Sequence, residues 1–204
     1  MKGLHLVTDR ALCGARPLEE VVLEAVRGGV AFVQLREKAL CTRDFVTEAA
    51  RLEEALALVR VPLLINDRVD VALAVGAAGV HLGQSDLPCE LARELLGPEA
   101  IIGLSVECWE DVERAQTQPV DYLGVSPIFA TPTKTDTHAP WGLEGLARIR
   151  AFSRHPLVAI GGMNASTARD ALRAGASGIA VVSAICAAPD PQQATRELIA
   201  AMHA

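Results

Sequence analysis

Short apolar runs recur along this chain, each followed by a longer amphipathic stretch. They occupy residues 3–7, 31–35, 63–65, 79–82, 101–104, 122–125, 157–160 and 178–182. The runs are β-branched or Leu-rich and lack a clear in–out alternation, the pattern of parallel strands buried on both faces. Between them, apolar residues return every three or four positions. Leu18, Val21, Val22, Ala25 and Val26 make one such stripe, and Phe45, Ala49, Leu52, Leu56 and Val59 another. That spacing predicts helices with one buried face. Glycines able to stop a helix stand at Gly28, Gly76, Gly97 and Gly175.

Eight strand–helix units in 204 residues allow about 25 residues each, the low end of what a closed (β/α)8 barrel needs. The alternation therefore predicts an α/β chain folded as a single TIM barrel over residues 1–204. A doubly wound open sheet is the competing architecture, but eight regular units with no evident edge strand favour closure. One segment breaks the rhythm: residues 126–140, SPIFATPTKTDTHAP, carry three prolines and no helical stripe. So long a loop in a compact barrel is expected to be functional, closing as a lid over bound ligands.

Composition narrows the partners. Hydrophobic residues are 50% of the chain, enough for a sizeable core, and the net charge is −6 without any basic block. Aromatic residues are only 3%. No nucleic-acid or anionic-membrane partner is expected from these features. No apolar run approaches the ~18 residues of a membrane span. The N-terminus MKGLHLVTDR lacks the long apolar stretch of a secretory signal. Cys13, Cys41, Cys89, Cys108 and Cys186 are scattered without a CxxC pair. Neither a disulfide framework nor a zinc site is expected, and a cytoplasmic setting fits. A homo-oligomer is left open.

In a (β/α)8 barrel the chemistry collects at the C-terminal ends of the strands. The second run continues into Gln34, Arg36 and Lys38, which alternation places on one side. Two cations and an amide there form an anion clamp. The third run leads to Asn66 and Asp67, the fourth to Asp86. Neighbouring strand ends lie ~4.8 Å apart, so the two carboxylates can share a Mg²⁺ ion with phosphate oxygens and water. The bland alternative makes each Asp the N-cap of the following helix. Ser105 ends the fifth run, either as a donor to phosphate or as a helix cap. The long loop adds Thr131, Thr133 and Lys134. Gly162, after the seventh run, and Ser183, after the eighth, offer a neutral backbone site for phosphate. His5 and His81 lie inside apolar runs and read as satisfied core residues, and the cysteines read as structural. The sum is a barrel with two anion sites: a cationic, metal-assisted one suited to a diphosphate and a neutral one suited to a monophosphate.

The segments LVTD, VQLREK, LINDRVDVALAVGAAGVHLGQSDL, IIGLSV, TPTKTD, AIGG and VVSAI occur in this order and together resemble thiamine-phosphate synthases over residues 6–185. The resemblance implies an enzyme joining a hydroxymethylpyrimidine diphosphate to a thiazole phosphate, carboxylated or not, to give thiamine monophosphate and pyrophosphate. It implies pyrimidine-diphosphate contacts at Gln34, Leu35, Arg36, Glu37, Lys38, Asn66, Ser105 and Lys134. Asp67 and Asp86 become Mg²⁺ ligands. Thr131, Pro132, Thr133, Gly162, Val182 and Ser183 become thiazole-phosphate contacts. Arg36, Lys38, Lys134 and Ser105 carry the catalytic load in a dissociative displacement. No nucleophile–base pair stands out in the sequence, in keeping with such a mechanism.

Two positions depart from the family pattern: Glu107 stands where relatives commonly have His, and Ser126 where they have Gly. Thiazole tautomerases, a related group, are thought to use that His and tend to lack the second Asp. Glu107 and Asp86 therefore favour the synthase. The competing functions are that tautomerase, a sugar-phosphate epimerase or isomerase, and a non-catalytic phosphate-ligand binder.

Overall fold

The computed structural model describes residues 1–130 and 139–204. Eight strands, β1 (Gly3–Val7), β2 (Phe32–Leu35), β3 (Leu63–Asn66), β4 (Gly79–Leu82), β5 (Ile101–Val106), β6 (Tyr122–Val125), β7 (Leu157–Ile160) and β8 (Gly178–Val181), pair in parallel in chain order. β8 returns to β1, so the sheet is a closed barrel rather than an open doubly wound one. Around it lie α1 (Leu18–Gly28), α2 (Thr42–Val59), α3 (Val69–Val75), α4 (Cys89–Leu96), α5 (Trp109–Ala115), α6 (Gly142–Phe152) and α7 (Ala168–Arg173). A short α8 (Ser183–Cys186) follows β8, and α9 (Pro191–His203) packs along α1.

The helical stripes bury as their spacing dictates. Leu18, Val21, Val22 and Ala25 are buried on α1, and Phe45, Ala49, Leu52 and Leu56 on α2. Val59 departs from its stripe and is 51% exposed, because α2 ends there and Arg60 takes a left-handed cap. Gly76 and Gly97 cap α3 and α4 as their positions predict. After α1 the left-handed cap falls on Gly29, one residue beyond Gly28.

Strand alternation divides the apolar residues into two layers. Leu4, Leu6, Val33, Leu35, Leu63 and Ile65 join the large core between strands and helices. Val7, Leu64, Tyr122, Val158 and Ala180 form a separate cluster inside the barrel. Two interior glycines make room for rings. A Cβ on Gly103 would lie 2.2 Å from the Tyr122 ring, and one on Gly124 would lie 2.8 Å from the His81 ring. The interior near β4–β6 is thus filled by two polar rings lying over bare backbone rather than by a plug of aliphatic side chains.

Candidate active site

A cavity of about 840 Å³ opens at the C-terminal ends of the strands and reaches down into the barrel. Gln34, Arg36 and Lys38 line it together, because they continue the inward parity of β2. The backbone of Arg36 donates to the buried Thr8 hydroxyl at 2.9 Å, and its guanidinium faces Asp9 at 4.0 Å. Lys38 donates to Asp67, forming an ion pair in the mouth of the cavity.

Asp67 has a left-handed backbone with φ 63°, a conformation that Asp and Asn tolerate better than most side chains. Its N–H donates to the His81 carbonyl at 2.9 Å, and the Asn66 amide donates to its carboxylate at 2.7 Å. Asp86 accepts from the Gly83 N–H at 2.7 Å. Burial raises the Asp86 carboxyl above its ordinary range, the Gly83 N–H opposes that, and the facing Asp67 adds to it. The helix-cap alternative fails for both: α3 starts after Arg68 and α4 after Pro88, neither start having a side-chain cap. Ser105 is not a cap either, since α5 starts after Cys108. Two facing carboxylates, hard oxygen donors whose negative charges oppose each other, fit a Mg²⁺ ion that completes its shell with phosphate oxygens and water. Among the described residues no three His, Cys, Asp or Glu side chains form an all-protein metal cage.

The opposite wall is neutral. Gly161 and Gly162 have φ of 97° and 67°, which turns the backbone after β7 in a way that most side chains resist. Gly162, Val182 and Ser183 line the cavity. Ser183 begins α8, and the first N–H groups of a helix have no partner within it.

The structure therefore gathers Gln34, Arg36, Lys38, Asn66, Asp67, Asp86, Ser105, Gly162, Val182 and Ser183 around one cavity. It does not bring Leu35 or Glu37 there. Leu35 has the opposite parity and is buried in the outer core, while Glu37 turns onto Arg10 at 3.1 Å. Thr131, Pro132, Thr133 and Lys134, with most of the expected lid, lie outside the described residues.

The floor of the cavity was not legible beforehand. His5, His81 and Tyr122 line it. His5 stacks on Phe32 at 4.5 Å, and burial depresses its pKa to about 3. Its Nε2 has no hydrogen-bond partner among the described residues, so it is a core histidine but not a satisfied one. His81 bridges the Tyr122 hydroxyl at Nδ1 and the Ser105 hydroxyl at Nε2, each at 2.8 Å. A histidine–serine contact thus exists that the separation of the two residues in sequence concealed. The one available signal was parity: His81, Gly103 and Tyr122 are paired across adjacent strands and share the inward face.

A family model described as thiamine monophosphate synthase matches residues 4–185. The chain is 63% identical over 188 residues to the thiamine-phosphate synthase of Albidiferax ferrireducens, covering 92% of this chain and 86% of that one. It is 53% identical to the thiamine-phosphate synthase of Leptospira biflexa, covering 96% of this chain and 95% of the relative. The solved thiamine phosphate pyrophosphorylase from Pyrococcus furiosus superposes with a TM-score of 0.89 at 40% identity, covering 98% of this chain and 95% of its own. With a family model over most of its length, a relative at 63% identity and a solved structure that superposes at a TM-score of 0.89, this chain belongs to the thiamine monophosphate synthase family.

Proposed function

We propose that the chain is a Mg²⁺-dependent transferase that condenses hydroxymethylpyrimidine diphosphate with a thiazole phosphate, releasing thiamine monophosphate and pyrophosphate. The observation that carries this reading is the convergence of Arg36, Lys38, Asp67 and Asp86 on one cavity whose far wall is neutral backbone. Asp67 and Asp86 would hold the ion, which when bound neutralises charge on the leaving diphosphate. Arg36 and Lys38 add positive charge beside it, and Lys38, paired with Asp67 in the structure, is placed to turn onto a phosphate oxygen. Lys134 adds a further cation in this reading, by family resemblance. Gly162, Val182 and Ser183, with Thr131 to Thr133, take the thiazole phosphate.

The carbon–oxygen bond to diphosphate breaks with its electrons leaving on pyrophosphate, and the thiazole nitrogen supplies the pair for the new carbon–nitrogen bond. No proton need be abstracted by the protein. Its work is to neutralise the leaving group, align the nitrogen and exclude water. No helix among the described residues is long and apolar enough to cross a membrane. The five free cysteines suit the reducing cytoplasm that is part of this reading. Incubating the protein with both phosphorylated substrates and Mg²⁺, with detection of thiamine monophosphate by mass, tests it. Consumption of neither substrate would overturn it.

A further inference from the structure

We propose that Tyr122 is a positioning residue that fixes the proton order along Tyr122, His81 and Ser105, so that Ser105 presents its hydroxyl hydrogen to the ligand. The inference rests on the proposed function only for its kinetic arm.

The geometry resembles a serine–histidine–carboxylate triad, with the third partner changed. In a triad the carboxylate accepts from Nδ1–H, which leaves the Nε2 lone pair facing serine as a base. Here the group at Nδ1 is a tyrosine hydroxyl at 2.8 Å. Tyr122 is 1% exposed, and among the described residues His81 is its one hydrogen-bond partner. If Nδ1 carried the hydrogen, the tyrosine oxygen would accept and its own hydrogen would be stranded in the barrel interior. Buried donors are seldom left so. Burial also raises the tyrosine pKa and keeps the hydroxyl protonated. The order that satisfies every hydrogen is Tyr122 O–H donating to Nδ1, and Nε2–H donating to the Ser105 oxygen at 2.8 Å. The Ser105 hydrogen then points to the cavity that the residue lines. Ser105 is further fixed through its carbonyl, which accepts from the Gln84 amide at 2.7 Å. With its proton on Nε2, His81 cannot take one from Ser105. Ser105 is therefore a hydrogen-bond donor, not an activated nucleophile, and the ligand atom opposite it is an acceptor, a ring nitrogen or a phosphate oxygen.

Nuclear magnetic resonance of isotope-labelled histidine nitrogens, near neutral pH, tests the proton order on the intact protein. The expected wild-type spectrum shows a neutral His81 protonated at Nε2. Tyr122→Phe keeps the ring and removes the hydroxyl that donates to Nδ1, so the resonance of the unprotonated Nδ1 is expected to move toward that of a ring nitrogen without a donor. A wild-type proton on Nδ1, or an Nδ1 resonance indifferent to Tyr122→Phe, overturns the proposal. In kinetics with the pyrimidine diphosphate, the thiazole phosphate and Mg²⁺, Tyr122→Phe is expected to lower kcat/KM about tenfold. The same change in a Ser105→Ala background is expected to cost less than about twofold, because Tyr122 acts through Ser105. Equal losses in both backgrounds overturn it. If the wild type forms no thiamine monophosphate, the functional reading falls and the spectrum alone decides the proton order.

Discussion

The two walls of the cavity offer themselves to anions by opposite means. At the ends of β2–β4 the equipment is charged side chains: Arg36, Lys38, Asp67 and Asp86. At the ends of β7 and β8 it is backbone, shaped by left-handed Gly161 and Gly162 and by the start of α8. Charged side chains must be satisfied before a ligand arrives. Lys38 therefore pairs with Asp67, and Arg36 faces Asp9. A backbone site needs no counter-charge, only a conformation. The first wall suits a group whose charge grows as a bond breaks, where mobile cations and a metal stabilise most. The second suits a group whose charge stays constant and only has to be held. The first wall should fail when charge is removed, the second when atoms are added.

The largest effect is expected at the charged wall. Asp67→Asn or Asp86→Asn should lower kcat at least about a hundredfold, about 3 kcal/mol of transition-state stabilisation, with little change in the KM for the thiazole phosphate. Steady-state rates at saturating Mg²⁺ check this, and near-normal turnover in either variant would remove the metal assignment.

Beneath both walls, His5 should set a pH limit that falls on them alike. Its folded pKa of about 3 lies below the unfolded value of 6.5, so between those values the unfolded chain binds more protons. Stability is complete above pH 6.5 and falls as pH drops toward 3, by about 1.4 kcal/mol per unit. From pH 6.5 to 4.5 the loss should be about 2 to 3 kcal/mol. Urea midpoints should show a shallower loss in His5→Phe, while His155, also lowered mainly by burial, keeps its share. A wild-type-like slope in the variant would show that His5 is not the group responsible.

At the neutral wall, Gly162→Ala should raise the KM for the thiazole phosphate about tenfold, about 1.4 kcal/mol, and leave that for the pyrimidine diphosphate unchanged. The added Cβ would meet Phe129 at 2.7 Å on a backbone with φ 67°. Equal changes in both KM values would dissolve the division between the walls.

The smallest effect sharpens the same division. Ser183→Ala keeps the N–H that begins α8 and removes only a hydroxyl, so kcat/KM should change less than about threefold. A much larger loss would make this wall depend on side chains after all.

Much of the architecture was legible from the chain. Four of the eight apolar runs coincide with strands to the residue: β1, β4, β6 and β7. Apolar periodicity is a direct record of burial, and burial decides these elements. The inward turn of Gln34, Arg36 and Lys38 followed from parity alone. Family resemblance also brought in Leu35 and Glu37, whose side chains the structure places in the outer core and against Arg10. The two Asp residues followed adjacent strands, but only the positions of the helix starts excluded capping. α3 and α4 start two and three residues beyond them, leaving both carboxylates turned to the cavity.

By itself, then, the sequence determined the alternation of strands and helices, the faces they bury and the types of charge at the strand ends, because these depend on neighbours in the chain and on a fixed period. Tertiary structure alone decided the floor. Tyr122, His81 and Ser105 meet only when β4, β5 and β6 are laid side by side in one register. The glycines that admit the two rings look, in the chain, like ordinary strand residues. Hydrogen-bond order and pKa in such a place depend on burial and on partners distant in sequence, and no local pattern of residues encodes them.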